Sequence, residues 1–194
     1  MESESMGITI KPTDVRAGTK LEIDGEVWEC TKYEHISPGK GQAFIRIKVK
    51  NLKTGRVLEK TIKSNDSMER AVLEPQKVQF LYRDEELHFM NTDTYEQFSL
   101  PTEALMGKDL WLKENTDLTL LFYNGEPVDV EIPTFMELKV IETEPGVRGD
   151  TVSGATKAAK VETGATVQVP LFINEGDVLK VDTRTGEYVE RVTG

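Results

Sequence analysis

The sequence predicts an all-β protein of three small β-barrels in tandem, and three observations carry that prediction. Short runs rich in β-branched and aromatic residues recur along all 194 residues, most of them closed by Gly, Asn or Asp turn signals. Only one stretch reads as a helix, and it contains a glycine. No low-complexity linker parts the thirds of the chain, so a fixed, elongated arrangement is expected rather than beads on a string. Three domains of about 63 residues, each roughly 25–30 Å across, would reach about 80 Å end to end.

In the first third the strands are Lys20 to Ile23, Val27 to Tyr33, Ala43 to Leu52 and Val57 to Lys63, with turns at Asp24-Gly25 and Lys53-Thr54-Gly55. The third of these alternates cleanly. Ala43, Ile45, Ile47 and Val49 fall on one face, and Phe44, Arg46, Lys48 and Lys50 on the other, so an aliphatic core backs a basic surface. The middle third gives Lys77 to Tyr82, Leu87 to Asn91, Tyr95 to Leu100, Leu118 to Tyr123 and Val128 to Ile132. Pro101 opens the helix candidate, Thr102 to about Leu112. Pro133 marks a boundary, since proline is unwelcome inside a central strand. The last third gives Phe135 to Glu142, Ala158 to Glu162, Thr166 to Phe172, Asp177 to Val181 and Tyr188 to Val192, with a long loop from Thr143 to Thr156. Five short strands without a long helix fit an OB-like barrel, and the middle third fits a second. The expected division is 1–7 as a disordered extension, then 8–66, 67–132 and 133–194.

Mean hydropathy is negative and 38% of residues are hydrophobic, which describes a soluble protein. No apolar run approaches a membrane span. Met1 to Gly7 is polar and acidic, neither a secretory signal nor a transit peptide, so the cytoplasm is expected. Cys30 stands alone and is expected as a buried, inert thiol.

The net charge of -10 argues at first against nucleic acid. Its distribution reverses the impression. Residues 1–66 hold 12 Lys+Arg against 10 Asp+Glu, residues 67–131 hold 5 against 14, and residues 132–194 hold 7 against 10. Between 32 and 63 there are nine basic residues and two acidic ones, Glu34 and Glu59. One end of such a molecule can meet RNA while its middle repels phosphate.

Lys40 sits at the centre of that basic region, in Ser37-Pro38-Gly39-Lys40-Gly41-Gln42 between two strands. Pro38 presets a turn, and Gly39 and Gly41 leave the amine unshielded. Read locally, the loop is either a solvated hairpin tip or a probe that reaches into a partner. A nucleotide-binding P-loop needs Ser or Thr after Gly-Lys, and Gly41 stands there instead. Two histidines and one cysteine offer no metal-ligand spacing. Ser99 and Ser153 lack a nucleophile elbow, and Asp84-Glu85-Glu86 reads as a solvated turn. No metal, cofactor or catalytic residue is expected. The loop Gly146 to Gly154 can bring backbone N–H groups and Arg148 close to phosphates, or it can be plain surface.

Pro38-Gly39-Lys40-Gly41-Gln42-Ala43-Phe44, Glu59-Lys60-Thr61, His88-Phe89-Met90-Asn91 with Tyr95-Glu96-Gln97, and Pro170-Leu171-Phe172 through Lys180 to Val189 occur in an order and spacing that resembles the bacterial translation elongation factor P family. The resemblance spans nearly the whole chain. It implies a KOW/SH3-like barrel followed by two OB-fold barrels, in an L shape that imitates tRNA. It implies a non-catalytic factor that enters the 70S ribosome between the P and E sites, positions peptidyl-tRNA and stimulates peptide-bond formation at consecutive prolines. Lys40 would be the tip that reaches the peptidyl-transferase centre, supported by Pro38, Gly39, Gly41 and Gln42. Arg46 and Lys48, the loop residues Arg148, Gly149, Asp150 and Thr151, and Arg184, Tyr188 and Arg191 would be candidate contacts to ribosomal RNA or tRNA. Family members often carry an added group, commonly β-lysine, on this lysine, which brings a lysine-modifying enzyme among the expected partners. The family's residue before the proline is frequently lysine and here is Ser37, so the resemblance leaves the modification open. A monomer with no membrane partner is expected.

Two rival readings give different tests. A general single-stranded RNA module would bind free oligonucleotides, against the acidic middle third. An enzyme using Lys40 as a Schiff-base or general-base lysine would need burial or a cationic neighbour to lower its pKa, which an exposed glycine loop does not supply.

Overall fold

A computed structural model of the chain describes residues 7–146 and 154–192. The expected N-terminal extension lies outside them except for Gly7. The structure is all-β, with three sheets in sequence order. The first is built from β1 (Ile8–Ile10), β2 (Lys20–Ile23), β3 (Glu26–Ile36), β4 (Phe44–Asn51), β5 (Val57–Lys63) and β6 (Met68–Arg70), ordered β1-β6-β2-β3-β4-β5. The second comprises β7 (Glu74–Arg83), β8 (Glu86–Asn91), β9 (Gln97–Pro101), β10 (Thr116–Tyr123) and β11 (Glu126–Glu131), ordered β11-β10-β7-β8-β9. The third comprises β12 (Phe135–Thr143), β13 (Thr156–Val161), β14 (Thr166–Pro170), β15 (Val178–Asp182) and β16 (Glu187–Val192), ordered β14-β13-β12-β15-β16.

The hairpins form where the sequence supplies residues that tolerate positive φ. Asp24-Gly25 and Asn124-Gly125 both place two such residues in succession, at φ of 53° and 77° and of 50° and 78°. That pair matches the right-handed twist of the flanking strands. A second, longer turn occurs once in each sheet, at Asn51 to Gly55, Asn91 to Tyr95 and Asp182 to Gly186. Its first side chain accepts backbone N–H bonds, from Lys53 and Thr54, from Asp93 and Thr94, and from Arg184. Its fifth residue donates back to the first carbonyl at 3.0, 2.9 and 2.8 Å respectively. That fifth residue is left-handed in all three, yet the middle turn uses Tyr95, at φ 61°, where the others use glycine. For this reason the strand expected from Tyr95 begins at Gln97.

Two expectations are corrected. The first sheet is not closed into a barrel: β1 and β5 are its outer strands. All three residues of β1 pair with β6, and Pro12 follows almost at once, so β1 has no length left to meet β5. The single helix is two short 3-10 turns, Thr102–Leu105 and Lys108–Trp111, and Pro101 ends β9. Met106 and Gly107 both adopt positive φ, 50° and 86°, and a right-handed helix cannot pass through them. Cys30 is buried as expected, with its thiol pushed up by burial and its Sγ donating to the Lys32 carbonyl.

Packing divides the described chain into two compact units. One holds the chain up to Gln76 with Glu103–Met106 and Leu120–Asp129. Its first sheet encloses Val15, Leu21, Trp28, Cys30, Ile45, Ile47 and Val49. A second cluster of Val27, Leu52, Ala71 and Tyr123 is flanked by Leu73, Met106 and Val128. Burial there, beside Glu22, pushes the Tyr123 hydroxyl up to about 12. Lys20 Nζ lies 2.9 Å from Glu29 and 3.3 Å from Asp129. Burial works against its charge, but the two carboxylates outweigh it and hold its pKa above the ordinary lysine value.

The other unit holds Lys77–Thr102, Gly107–Thr119 and the chain from Val130 onward. The third sheet closes over Leu138, Val140, Val161, Val167, Leu179 and Val181, with Trp111 packed against them. Arg83 to Asp109 at 3.1 Å and Lys113 to Glu162 at 3.0 Å add ion pairs. Gly146 faces the Leu171 carbonyl so closely that no Cβ fits. Among the described residues no group is placed to hold a metal ion, and no helix is long and apolar enough to cross a membrane.

Candidate functional site

The Lys40 loop is the crossing between the two longest-paired strands of the first sheet. β3 and β4 run in register from Trp28 opposite Asn51 to Ile36 opposite Phe44, with a bulge between Cys30 and Lys32. Beneath them Trp28, Cys30, Ile45, Ile47 and Val49 are buried to 2% exposure or less, which makes the hairpin a stiff arm. Ser64 fastens its far end, where its N–H and Oγ donate to the Ala43 carbonyl at 3.4 and 2.8 Å. Between these anchors, residues 37–42 are all exposed.

The two glycines beside Lys40 do different work. Gly41 sits at φ 119°, a conformation that side-chain-bearing residues rarely adopt. Gly39 has ordinary φ and open space around it, so only the absence of bulk distinguishes it. Lys40 makes no hydrogen bond or ion pair among the described residues. Among the described residues its amine has no partner to leave before meeting another molecule.

The face below the loop carries the expected basic residues, Arg46 and Lys48, both exposed on β4. Cross-strand register adds what period-two alternation alone does not show. Lys32 lies opposite Lys48 and Lys48 opposite Glu59, while Glu34 lies opposite Arg46 and Arg46 opposite Thr61. The two acidic residues of the 32–63 segment therefore both fall on this basic face. Lys32 Nζ pairs with Glu34 at 2.6 Å, which raises the lysine pKa and lowers that of the carboxylate. Arg46 Nε lies 3.4 Å from Glu59. Lys48 forms no ion pair among the described residues.

The remaining candidates are dispersed. Arg148, Gly149, Asp150 and Thr151 lie outside the described residues. Arg184 is held by its own turn, with Nε and Nη2 donating to the two Asp182 oxygens at 3.1 and 2.7 Å. Tyr188 packs on the third sheet's core. Arg191 stands over the exposed Phe172 ring at 5.4 Å and 3.7 Å from Asp177. The third sheet thus provides intramolecular contacts for all three.

Comparison with known proteins adds three successive matches. Residues 12–68 match the Elongation factor P (EF-P) KOW-like domain, residues 73–130 the Elongation factor P (EF-P) OB domain, and residues 136–191 the domain described as Elongation factor P, C-terminal. Elongation factor P of Natranaerobius thermophilus is 50% identical over 186 residues, 95% of this chain and 99% of that one. Elongation factor P of Coprothermobacter proteolyticus is 50% identical over 184 residues, 94% and 99% of the two chains. Among solved structures, eukaryotic translation initiation factor 5A from Methanococcus jannaschii shares the fold over 65% of this chain and 95% of that one, with a TM-score of 0.52 at 20% identity.

Proposed function

Since the chain belongs to the elongation factor P family, it is a non-catalytic translation factor that binds the ribosome and relieves stalling at consecutive prolines, and we propose that the Lys40 loop is the end with which it acts. The observation that carries this reading is an exposed lysine, without a partner among the described residues, at the tip of a hairpin whose own strands are fixed on a buried core. A tip of that kind steadies a flexible RNA end by contact. It adds no acid, base or nucleophile to the reaction.

The chemistry that fits is positional. Proline is a constrained nucleophile and donor, so the reacting ends spend little time aligned, and holding one of them lowers the barrier through proximity. In this reading the protein sits between the P and E sites of the 70S ribosome as a monomer. Lys40 points to the peptidyl-transferase centre and contacts the end of peptidyl-tRNA. Pro38, Gly39, Gly41 and Gln42 shape the loop, and Arg46 and Lys48 meet RNA phosphates below it. Arg184, Tyr188 and Arg191, with the loop residues Arg148, Gly149, Asp150 and Thr151, serve the third domain's RNA contacts. In this reading the domains are 8–66, 67–132 and 133–194. The sequence order of the three sheets supports three successive domains, with the first carried past residue 66 because β6 (Met68–Arg70) belongs to the first sheet.

A group added to Lys40 Nζ by a modifying enzyme would extend the reach of the amine. The exposure of the loop on both sides leaves room for such an enzyme. The mass of the protein from its own host, with mapping of the Lys40 peptide, reads the modification directly.

The deciding experiment for the tip is Lys40→Ala in cells lacking the endogenous factor, with a Pro-Pro-Pro reporter and ribosome profiling. The variant is expected to lose rescue of polyproline pauses while keeping the wild-type melting temperature. Full rescue by Lys40→Ala would overturn the assignment.

A further inference from the structure

The basic face beneath Lys40 is partly occupied by its own carboxylates. Lys32, Glu34, Arg46, Lys48 and Glu59 together line a depression of about 230 Å³ on the outer side of β3, β4 and β5. Glu34 holds Lys32 at 2.6 Å, and Glu59 holds Arg46 at 3.4 Å. We propose that this depression seats a phosphate of an RNA backbone, and that Glu34 and Glu59 are specificity residues that occupy Lys32 and Arg46 until such a phosphate displaces them. The inference rests on the reading of this hairpin as the ribosome-facing end.

A carboxylate and a phosphate offer a guanidinium or ammonium the same kind of oxygen acceptor. Each glutamate therefore stands where a phosphate oxygen would stand. The side chains concerned are between 39% and 67% exposed, so the pairs are solvated and exchange readily. Lys48 has no ion pair among the described residues and lies between Lys32 and Glu59 in the cross-strand row, so it is the cation that meets an incoming strand first.

The consequence is discrimination. A free RNA strand must displace two carboxylates and pass close to their charge, for the gain of two phosphate contacts. On the ribosome the phosphates are held in place by the rest of the interface, at high effective concentration, and the exchange goes to completion. Two of the nine basic residues between 32 and 63 are thus kept from binding RNA at large.

The test compares three full-length proteins: wild type, Glu34→Gln/Glu59→Gln, and Arg46→Ala/Lys48→Ala. Fluorescence anisotropy with labelled tRNA, between about 50 and 200 mM salt, reads free-RNA binding, and cosedimentation reads ribosome binding. The double glutamine variant should bind free tRNA roughly tenfold more tightly at the low end, with a salt slope steeper by about 1.5 for two released cations. Unchanged affinity and slope overturn the proposal. The Arg46→Ala/Lys48→Ala protein separates this from the parent reading: loss of ribosome binding keeps the face as an RNA contact, and wild-type ribosome binding removes both. Circular dichroism melting of each variant reports folding, and glutamine preserves the shape of both side chains.

Discussion

Arg184 turns its guanidinium back on its own turn. Its side-chain hydrogen bonds hold the Asp182 carboxyl below the usual carboxylate range, and the pairing holds Arg184 above its own. Because the folded-state pKa of Asp182 is depressed, its contribution to stability is present above the unfolded carboxylate pKa and is lost as pH falls through the folded value. Arg184→Ala should move the Asp182 titration, followed by carboxyl NMR shifts, up toward the ordinary range. An unmoved midpoint would show that the arginine is not the cause. For Arg184 to contact RNA it must leave Asp182, whereas Lys40 has no partner among the described residues to leave. That difference was half legible in the sequence. The Lys40 loop is local, and its Pro and Gly residues announce it. The pairing of Arg46 with Glu59 depends on register across β4 and β5, and that of Arg184 with Asp182 on a turn geometry that composition does not reveal.

One turn recurs in each of the three sheets. Asn51, Asn91 and Asp182 supply the same side-chain acceptor, and each turn closes on a left-handed fifth residue. Glycine fills that position at Gly55 and Gly186, while Tyr95 fills it at φ 61° with 72% of its surface exposed. A left-handed side-chain-bearing residue is costly, and glycine's larger backbone entropy only partly offsets the relief of that strain. Tyr95→Gly should stabilise the protein by about 0.5–1 kcal/mol in urea unfolding, and a loss of stability would show that the tyrosine ring makes compensating contacts. Strand existence was readable wherever alternation ran for five residues or more, as in β4. β1 and β6 were missed because three residues carry no period: β1 is a strand only through β6, and β6 only through β1 and β2. The split of the expected helix at Met106-Gly107 was signalled by Gly107 alone. Met106 has no sequence property that marks it for positive φ.

For the molecule as a whole, charge is the decisive distribution. A net charge of -10 coexists with a basic segment around Lys40, so long-range repulsion and local attraction both act on approach to RNA. Ribosome affinity should fall as salt rises despite the acidic total, by a slope of about 0.7–0.9 for each lysine or arginine that meets a phosphate. Equilibrium binding at several salt concentrations measures it, and a flat profile would rule out phosphate contacts as the source of affinity. The second apolar cluster of the first unit has a consequence for how the chain is made. Val27, Leu52 and Ala71 are joined there by Tyr123, with Val128 beside them. During synthesis the first sheet has all its strands once Arg70 has emerged and Leu73 follows at once, but Tyr123 and Val128, which complete the cluster, follow about 50–60 residues later. At about 5–20 residues per second, that leaves apolar surface of the nascent chain open to water, or to a chaperone, for about 3–12 s. A factor that speeds the ribosome past prolines is thus itself a chain whose folding has to wait for the ribosome.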